Sequence, residues 1–484
     1  MKFKKLLFLF ISITYISINL HARVNEHFIT PEELNQLLAE ARQEDLGIEL
    51  NALDLEEIRS INPKTSWTFI VFMAADNDLH YFAWKNLKQM EQVGSNGNIS
   101  IVVQLNMPGS SPTKRYIIKK GRRVLVQDPE NPTLKLNSGT TSTLVGAVEW
   151  AVTHYPADNY GLILWNHGTG AIDPYIARTI NPCDLFFINP TDNKLEIDRG
   201  LSYLTLIYQE AFKQLQNNAK RGICFDDTFK SYLSNHDLEQ ALSQICSNVL
   251  GGKKLSLIGF DACLMSMIEI TSICKNYADY FVASQEVEYG TGWRYDYVLE
   301  PFLNTSLNSQ DFAAHIVHSY EQAYNKLIND YTLSALKLSD MHELEQNVYD
   351  VALILHETLT QQTGHTMADI IRKCKSTQYC TCFDEPSYID LSHFYQNLLQ
   401  HIQHINLKDK TVQAKIQEQL KRLLNQGIAI VQKIVVINKV GQKLKKAQGI
   451  SIYFPEHNIP QNYLKSPFAQ RNYWSTFLCK YLQG

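Results

Sequence analysis

Trp67-Thr-Phe-Ile-Val-Phe-Met-Ala-Ala75 is the stretch of sequence that decides the fold, because only Thr68 interrupts its apolar side chains. A run of this kind predicts a strand that is buried on both faces, as the strands of a parallel sheet are. Later segments repeat the pattern at Ile99–Leu105, Tyr160–Trp165, Leu255–Phe260 and Tyr280–Ser284. The chain therefore has enough buried strands for a sheet that is covered on both sides.

Segments with the helical spacing of apolar residues separate these strands. They are Leu79–Val93, Ser142–Tyr155, His236–Leu250 and Leu264–Lys275. Because strands that alternate with helices form right-handed crossovers, the pattern predicts the α/β class, with a mainly parallel sheet flanked by helices. Arg115–Lys119 and Arg123–Gln127 are more polar and predict a hairpin at one edge of the sheet.

The chain has 484 residues, which is too many for one compact core. The alternation of strands and helices predicts a domain over residues 65–345, and residues 346–484 form a mostly helical C-terminal region. Within that region we expect helices at Tyr388–Ile405 and Thr411–Gln426, and strands at Ile434–Val440 and Gly449–Phe454.

The first 22 residues have the layout of a secretory signal peptide. Three lysines precede an apolar run from Leu6 to Leu20, and Ala22 offers a small residue before a cut. Residues 23–64 then form an N-terminal arm, a pro-segment or a helix packed on the next domain. No later segment reads as long and apolar enough to cross a membrane. We expect an exported protein, periplasmic or secreted, with no stable membrane insertion once the signal is removed.

Charge and cysteine content narrow the partners and the chemistry. The 45 Lys and Arg residues against 49 Asp and Glu residues give a net charge of −4, without the basic face that nucleic acid requires. Nine cysteines in an exported chain favour disulfides. At the cluster of Cys374, Cys380 and Cys382 we expect a local disulfide or buried thiols rather than a zinc site, because no matching histidine pair accompanies them.

Two strands end in residues that carry chemistry. His167 follows the strand Tyr160–Trp165, and Cys263 follows the strand Leu255–Phe260, two residues after Asp261. In a parallel sheet, reactive groups collect at the carboxyl ends of the strands. Cys263 also stands directly before a predicted helix, whose N-terminus would favour the thiolate.

These residue types suit nucleophilic catalysis. An imidazole can take the thiol proton and return it to a leaving amine, and backbone N–H groups of Gly168 and Cys263 could stabilise the oxyanion. Taken singly, a cysteine in an apolar run is more often a buried thiol, and a lone histidine a hydrogen-bonded core or surface residue. Their placement at two strand ends is what favours a catalytic pair.

Three motifs resemble those of the clostripain family of cysteine peptidases. Trp67–Leu79 resembles the opening strand, Leu164-Trp-Asn-His-Gly-Thr-Gly170 the histidine motif, and Gly259-Phe-Asp-Ala-Cys-Leu-Met-Ser266 the nucleophile motif. Ile223–Thr228, Ala283–Glu286, Gly290–Trp293 and Gly449–Pro455 also look like family segments. The resemblance covers residues 67–455.

The resemblance implies a caspase-like sheet and a Cys–His dyad, with Cys263 as nucleophile and His167 as base. It implies that Asp261 lines the pocket for the residue before the cut, so that the substrates are proteins or peptides cut after Arg or Lys. A carboxylate suits a guanidinium or ammonium group. The alternative role for Asp261 is that it only caps the next helix. The family is often activated by self-cleavage after the histidine strand. The insertion 173–221 offers basic residues for such a cut: Arg178, Lys194, Arg199, Lys220 and Arg221.

No cofactor is predicted. Acidic residues could bind calcium, on which some relatives depend, but they lack the spacing of an EF-hand and serve equally as caps: Asp76, Asp78, Asp226 and Asp227. Two positions depart from the family pattern. Tyr289 stands where many relatives have proline, and Arg294 would add positive charge near the pocket.

Two other functions fit the same residues. The first is a binding protein that keeps the fold without catalysis, and the second is a thiol hydrolase or transferase acting on amides other than peptides. The retention of His167, Gly168, Asp261 and Cys263 together favours the peptidase.

Overall fold

The computed structural model describes residues 62–126, 134–172, 185–199, 222–361 and 366–483. The strands in this part of the chain are β1 (Thr65–Ala74), β2 (Ile99–Asn106), β3 (Lys114–Lys119), β4 (Arg122–Leu125), β5 (Ala157–Trp165), β6 (Phe186–Ile188), β7 (Leu195–Ile197), β8 (Ile223–Asp226), β9 (Ser231–Leu233), β10 (Leu255–Asp261), β11 (Ala278–Ala283), β12 (Thr332–Lys337), β13 (Tyr388–Asp390), β14 (Val435–Val440) and β15 (Ser451–Tyr453).

The helices of the described residues follow the same chain order. They are α1 (His80–Val93), α2 (Thr141–His154), α3 (Asn235–Gln244), α4 (Ile268–Cys274), α5 (Tyr295–Leu299), α6 (Ser309–Tyr324), α7 (Met341–Gln361), α8 (Thr366–Lys375), α9 (Leu391–His401), α10 (Lys410–Ile434), α11 (Gln461–Leu464), α12 (Pro467–Arg471) and α13 (Trp474–Leu482). A π-helical turn, Ile245–Val249, extends α3.

Nine strands form one sheet in the order β14-β12-β11-β10-β5-β1-β2-β3-β4. The five central strands, from β11 to β2, are parallel to one another. Antiparallel strands close both edges, and the hairpin of β3 and β4 is the predicted polar one. The α/β class, with a mainly parallel sheet flanked by helices, is therefore confirmed.

Burial explains why the apolar runs became central strands. Every residue of β2 is buried, and in β1 all but Ser66 are. Helices cover both faces, so a side chain on either face of a central strand leaves water. The prediction from Trp67–Ala75 misplaces the ends of β1 by only one or two residues.

The strands that lead to the predicted catalytic residues are neighbours in the sheet. β5 and β10 pair in parallel, with Asp261 opposite Trp165. His167 and Cys263 each lie two residues beyond this last pair, so both chains leave the sheet at the same edge. The topology therefore brings together two residues that are far apart in sequence.

The helix after Cys263 begins later than predicted, and this prediction was wrong. The sequence places its start at Leu264, but α4 begins at Ile268. The intervening turn contains Leu264 in the left-handed region, with φ of 63°. A branched side chain tolerates this conformation poorly, which indicates that surrounding contacts hold the turn. Cys263 is therefore on a turn and not at a helix N-terminus.

Residues 346–483 contribute to the main sheet as well as to the helical layer. α10 runs to Ile434, past the predicted end at Gln426, and leads directly into β14. β14 pairs with β12 at the sheet edge, and β13 pairs with β15 in a small separate sheet. The division of the chain at residue 346 stays a prediction.

Part of the insertion 173–221 lies within the described residues. Its residues 185–199 form the hairpin of β6 and β7. Arg199, at the end of this hairpin, pairs with Glu286 at 2.8 Å and with Asp330 at 3.2 Å. Lys194 is in the connecting turn and donates a hydrogen bond to the Asn325 carbonyl. Arg178, Lys220 and Arg221 lie outside the described residues.

Several predictions concern parts of the chain that the structure does not describe. The signal peptide 1–22 and nearly all of the arm 23–64 lie there. Among the described helices, none has the length and hydropathy to cross a membrane. The eight described cysteines are free thiols, including the cluster of Cys374, Cys380 and Cys382.

Candidate active site

A small pocket, with a cavity volume of about 20 Å³, lies where β5 and β10 end. His167 and Cys263 both line it, together with Asp261. The remaining lining residues are Leu79, Trp165, Asn166, Ala262, Glu288, Tyr289, Gly290 and Gly292. The structure thus brings the predicted nucleophile, base and pocket residue to one site.

Hydrogen bonds of its own side chain and of the preceding residue, Asn166, hold His167 in place. Its Nε2 lies 2.7 Å from Asp78 Oδ1, just beyond the end of β1. The preceding Asn166 accepts a hydrogen bond from the Phe225 N–H (2.9 Å) and donates to the Ala74 carbonyl. A carboxylate acceptor keeps the proton on Nε2, which leaves the Nδ1 lone pair to act as a base. From the sequence, Asp78 is a candidate metal ligand or cap, and no motif indicates this contact with His167.

Cys263 is buried, and its thiol points at the loop that follows β11. Its Sγ lies 3.8 Å from the Glu288 carbonyl oxygen, to which the thiol donates. Burial raises the pKa of the Cys263 thiol well above its usual value, and the Glu288 carboxylate raises it further. Since α4 begins only at Ile268, no helix N-terminus offsets these effects. The thiol is therefore neutral in this arrangement, which corrects the expected thiolate.

Asp261 lies at the pocket wall with both carboxylate oxygens engaged. Oδ1 accepts from the Trp293 backbone N–H at 3.1 Å, and Oδ2 accepts from the Tyr295 hydroxyl at 2.8 Å. Burial raises the Asp261 pKa to about 7, although both hydrogen bonds act in the opposite direction. Asp261 does not cap α4, which starts seven residues later.

Glu288 is a second buried carboxylate in the same pocket, and no sequence motif singles it out. Its exposed fraction is 3%, and its carboxyl group lies against that of Asp261, the Trp293 side chain and the Ala262 backbone. Burial and the adjacent Asp261 carboxylate raise its pKa well above 4.5. Glu288 lies between the family-like segments Ala283–Glu286 and Gly290–Trp293, and that position was the only signal for it.

The loop that carries Glu288 is anchored to α1. Asn86 donates to the carbonyls of Thr291 and Trp293, each at 3.3 Å. Gln89 accepts from the Tyr295 N–H at 3.2 Å. These contacts fix the wall of the pocket against a helix that packs on the sheet.

The two departures from the family pattern have different consequences. Tyr289 lines the pocket and contacts the Phe186 ring of the β6–β7 hairpin, with ring centroids 5.3 Å apart. Arg294 is not among the lining residues; it forms a two-pronged ion pair with Asp296 and stacks on Tyr297. Its charge is therefore compensated outside the pocket.

Gly168 packs directly against the nucleophile turn. A Cβ at this position would come within 2.5 Å of the Cys263 carbonyl oxygen and 2.8 Å of Met265 Cγ. The residue also forms an antiparallel bridge with Ile223. A glycine is required here because the histidine and cysteine turns approach so closely.

Three of the four acidic residues considered as calcium ligands have protein partners of other kinds. Asp76 pairs with Lys135 at 2.7 Å, and Asp78 contacts His167. Asp226 accepts hydrogen bonds from Asn106, Ser138 and Phe229. In the described ranges, no group of three or more His, Cys, Asp or Glu side chains has an arrangement that could hold a metal.

A larger cleft, of about 560 Å³, is lined mainly by residues of α7 and of the segment around α12. Its described lining includes Glu345, Asn347 and Arg471 but none of the predicted site residues. Chemistry, and not size, therefore selects the smaller pocket as the candidate active site.

A family model described as the clostripain family matches residues 71–181 and 202–480. The chain belongs to the clostripain family. It is accordingly a cysteine peptidase by family, and the predicted family membership is confirmed. No curated protein matches the chain.

Solved clostripain-family proteases share the fold. A secreted C11 cysteine protease from Bacteroides thetaiotaomicron, solved with an irreversible peptide inhibitor, is 20% identical with a TM-score of 0.53; the match covers 86% of this chain and 99% of that one. An inactive zymogen C11 protease from Parabacteroides distasonis is 17% identical, also with a TM-score of 0.53 and coverages of 86% and 99%. At identities of 20% and 17%, these matches show that the chain shares its fold with the two proteases.

Proposed function

We propose that this protein is an exported cysteine endopeptidase that cleaves after Arg or Lys through Cys263 and His167. One observation carries the proposal: the two residues follow neighbouring strands in register and line one pocket that also contains buried carboxylates. A nucleophile, a base and an anionic pocket are what cleavage after a basic residue requires.

The proposed mechanism follows from the placement of each group. Nδ1 of His167 takes the proton from the Cys263 thiol as Sγ attacks the scissile carbonyl carbon. The N–H groups of Gly168 and Cys263 stabilise the oxyanion, and the imidazolium then protonates the leaving amine. Water hydrolyses the thioester, with His167 again as base. Asp78 holds the imidazole in the tautomer that these proton transfers need.

Activation by self-cleavage in the insertion 173–221 is part of the proposal. The high pKa of Cys263 and the enclosed position of Asp261 support a latent form, because neither is suited to attack on a substrate without rearrangement. Arg199 is a poor cleavage site, since it would have to leave two carboxylates. The remaining basic candidates, apart from Lys194, are Arg178 in residues 173–184 and both Lys220 and Arg221 in residues 200–221.

Hydrolysis of fluorogenic peptides with Arg, Lys, Asp or Leu before the cut tests the proposal. The protein would lack residues 1–22 and would be compared with Cys263→Ala and His167→Ala. We expect cleavage after Arg or Lys only, and none by either variant. Cleavage after Asp or Leu would refute the specificity, and activity retained in Cys263→Ala would refute the nucleophile.

A further inference from the structure

The turn that carries Cys263 is held by the loop that follows β11. The Leu264 N–H donates to the Glu286 carbonyl oxygen at 3.2 Å, and the Ser266 N–H donates to the Ser284 carbonyl oxygen at 2.8 Å. Leu264 has a φ of 63°, a conformation that a leucine keeps only where surrounding contacts impose it. A group that fixes Glu286 therefore also helps to fix the position of the nucleophile.

Glu286 is fixed through its carboxylate as well as through its backbone. The side chain is fully buried, and Oε1 accepts hydrogen bonds from the N–H groups of Val287 at 2.8 Å and Asp384 at 2.9 Å. The other oxygen, Oε2, lies 2.8 Å from Arg199 Nη2, which also lies 3.2 Å from Asp330 Oδ1. Glu286 thus takes its cation from the end of the β6–β7 hairpin.

The Cys263 thiol lies in anionic surroundings. The titratable groups that face it are Glu286 and Glu288 on the loop after β11, Asp384 before β13 and Tyr320 on α6, and His167 lines the same pocket. Burial is the main cause of the raised pKa of Cys263, and the three carboxylates add to it. Burial also raises the pKa of Glu286, whereas Arg199 acts in the opposite direction. The guanidinium therefore offsets one of the charges that disfavour the thiolate.

We propose that Arg199 is a positioning residue for catalysis, which acts through Glu286 to hold the nucleophile turn and to make the Cys263 thiolate easier to form. This inference rests on the proposed function, because it concerns the nucleophile of that reaction. Arg199 is not among the residues that line the pocket, so its effect on the chemistry is indirect. The insertion would then contribute to catalysis as well as carry sites for self-cleavage.

The second carboxylate, Asp330, makes the position of the guanidinium definite. Asp330 directly precedes the strand pair of β12 and β11, and its Oδ2 accepts from the Ile197 N–H of β7 at 3.0 Å. One carboxylate thus holds both the hairpin and its cation. A guanidinium stays charged at every pH at which the protein is folded, and it is less strongly hydrated than an ammonium group. Arg199→Lys should therefore keep only part of the effect.

Alkylation of Cys263 by iodoacetamide at pH 8 tests the charge effect without peptide cleavage. We expect Arg199→Met to slow alkylation about three- to tenfold, because the Glu286 charge is then no longer offset. Glu286→Gln should accelerate it, and the double variant should return it towards the wild-type rate. Loosened packing would instead expose the thiol and accelerate both single variants. Peptide mass mapping would assign the alkylated residue, since other free thiols are present.

Hydrolysis of a peptide with Arg before the cut supplies the second readout. Arg199→Met should lower kcat about tenfold with little change in KM, because Arg199 does not contact the substrate. Arg199→Lys should recover part of kcat, and it keeps a basic residue where self-cleavage could occur. Lys443→Met is the matched control, since Lys443 pairs with Glu196 of the same hairpin at 3.3 Å. It should change neither readout.

The outcomes separate this inference from the proposed function. Slower alkylation in Arg199→Met, faster alkylation in Glu286→Gln and recovery in the double variant would support the role of Arg199. Acceleration in both single variants, or alkylation and kcat unchanged in Arg199→Met, would overturn it and leave the proposed function intact. A wild-type protein that cleaves after neither Arg nor Lys would overturn the proposed function, and with it the role of Arg199 in catalysis. If Arg199→Met does not fold, the opposite changes expected for Arg199→Lys and Glu286→Gln decide the question.

Discussion

The ring nitrogen that holds His167 in place is Nε2, whereas the proposed base is Nδ1. The Nε2–Asp78 contact of 2.7 Å fixes the ring plane and the tautomer, so that Nδ1 can face the pocket. The proposed dyad of Cys263 and His167 thus has a third residue behind it, as the base of many hydrolases does. The consequence is a measurable dependence of catalysis on Asp78.

We expect Asp78→Asn to lower kcat about a hundredfold with little change in KM, because substrate binding does not involve this carboxylate. Peptide hydrolysis across pH 5 to 9 would measure it. Asp227→Asn removes a second carboxylate whose charge also acts on His167, and is the matched control. Equal losses in the two variants would reduce Asp78 to a general electrostatic influence.

The buried carboxylates make stability depend on pH. Burial raises the Glu288 pKa well above 4.5, and the Asp261 pKa rises from 3.8 to about 7. An acid whose pKa is raised on folding contributes stability that is fully present below its unfolded pKa and is lost as pH rises through the folded one. The native state should therefore lose stability between about pH 4 and pH 7 from these groups.

Glu288→Gln should consequently raise the melting temperature by about 2 °C or more at pH 8 and have a smaller effect at pH 5. Differential scanning calorimetry at both pH values would measure this, with Glu418→Gln as the control. A lower melting temperature at pH 8 would mean that Glu288 is held by stabilising contacts. The combination of higher stability and lower activity would mark a residue kept for function.

Sequence motifs located some site residues but not others, for a physical reason. His167 and Cys263 come directly after apolar strands, so the sheet fixes their positions. Asp78 and Glu288 lie on turns, where the direction of each side chain depends on contacts with distant parts of the chain. Neither a period nor a spacing reports such contacts.

One glycine, Gly427, allows helix α10 to pack closely on α7 and α9. Gly427 is in the interior of this helix, where alanine would ordinarily be preferred. Here a Cβ would overlap the Asn347 side chain on α7 and come within 2.8 Å of Tyr395 Cδ2 on α9. Both neighbours are buried, so neither can move aside.

Gly427→Ala should therefore destabilise the protein by about 1–3 kcal/mol, although alanine has the higher helix propensity. Gly146 in α2 is the matched control, because a Cβ there meets nothing within 4 Å. Gly146→Ala should stabilise by about 0.5–1 kcal/mol. Urea unfolding measures both. Stabilisation by both substitutions would show that the α7–α9–α10 contact can relax.

Strands were predicted more accurately than helix ends. The central strands have continuous apolar runs because both faces are buried, and such runs define their own limits. The start of α4 was missed because the turn at Leu264 is apolar and has helical spacing, so that composition does not distinguish it from a first helical turn. Tertiary contacts, such as the Leu264 N–H to the Glu286 carbonyl at 3.2 Å, decide it.

Across the whole molecule, one ion-pair cluster joins the insertion to the sheet. Arg199 pairs with Glu286, which follows β11, and with Asp330, which precedes β12. Asp330 also accepts from the Ile197 N–H at 3.0 Å. The two carboxylates are buried, whereas the Arg199 side chain is 40% exposed, so the cluster is only partly shielded from water.

Arg199→Met should cost about 2 kcal/mol of unfolding free energy, because it leaves two buried carboxylates without their cation. Arg372→Met is the control, because Arg372 and its partner Asp369 are both exposed. Removing this pair should cost less than about 0.5 kcal/mol of unfolding free energy. Urea unfolding would compare them. The double variant Arg199→Met with Glu286→Gln should recover part of the loss, and no recovery would contradict the electrostatic explanation.

The pairing of β5 with β10 has a consequence for any protein cut between residues 200 and 221. His167 and Cys263 would then belong to separate polypeptides, held together by a shared sheet from Gly161–Leu257 to Trp165–Asp261. A denaturing gel would show two bands where size-exclusion chromatography shows one species. The active centre would be a composite of two chains, and co-expressed halves should complement each other without a peptide link.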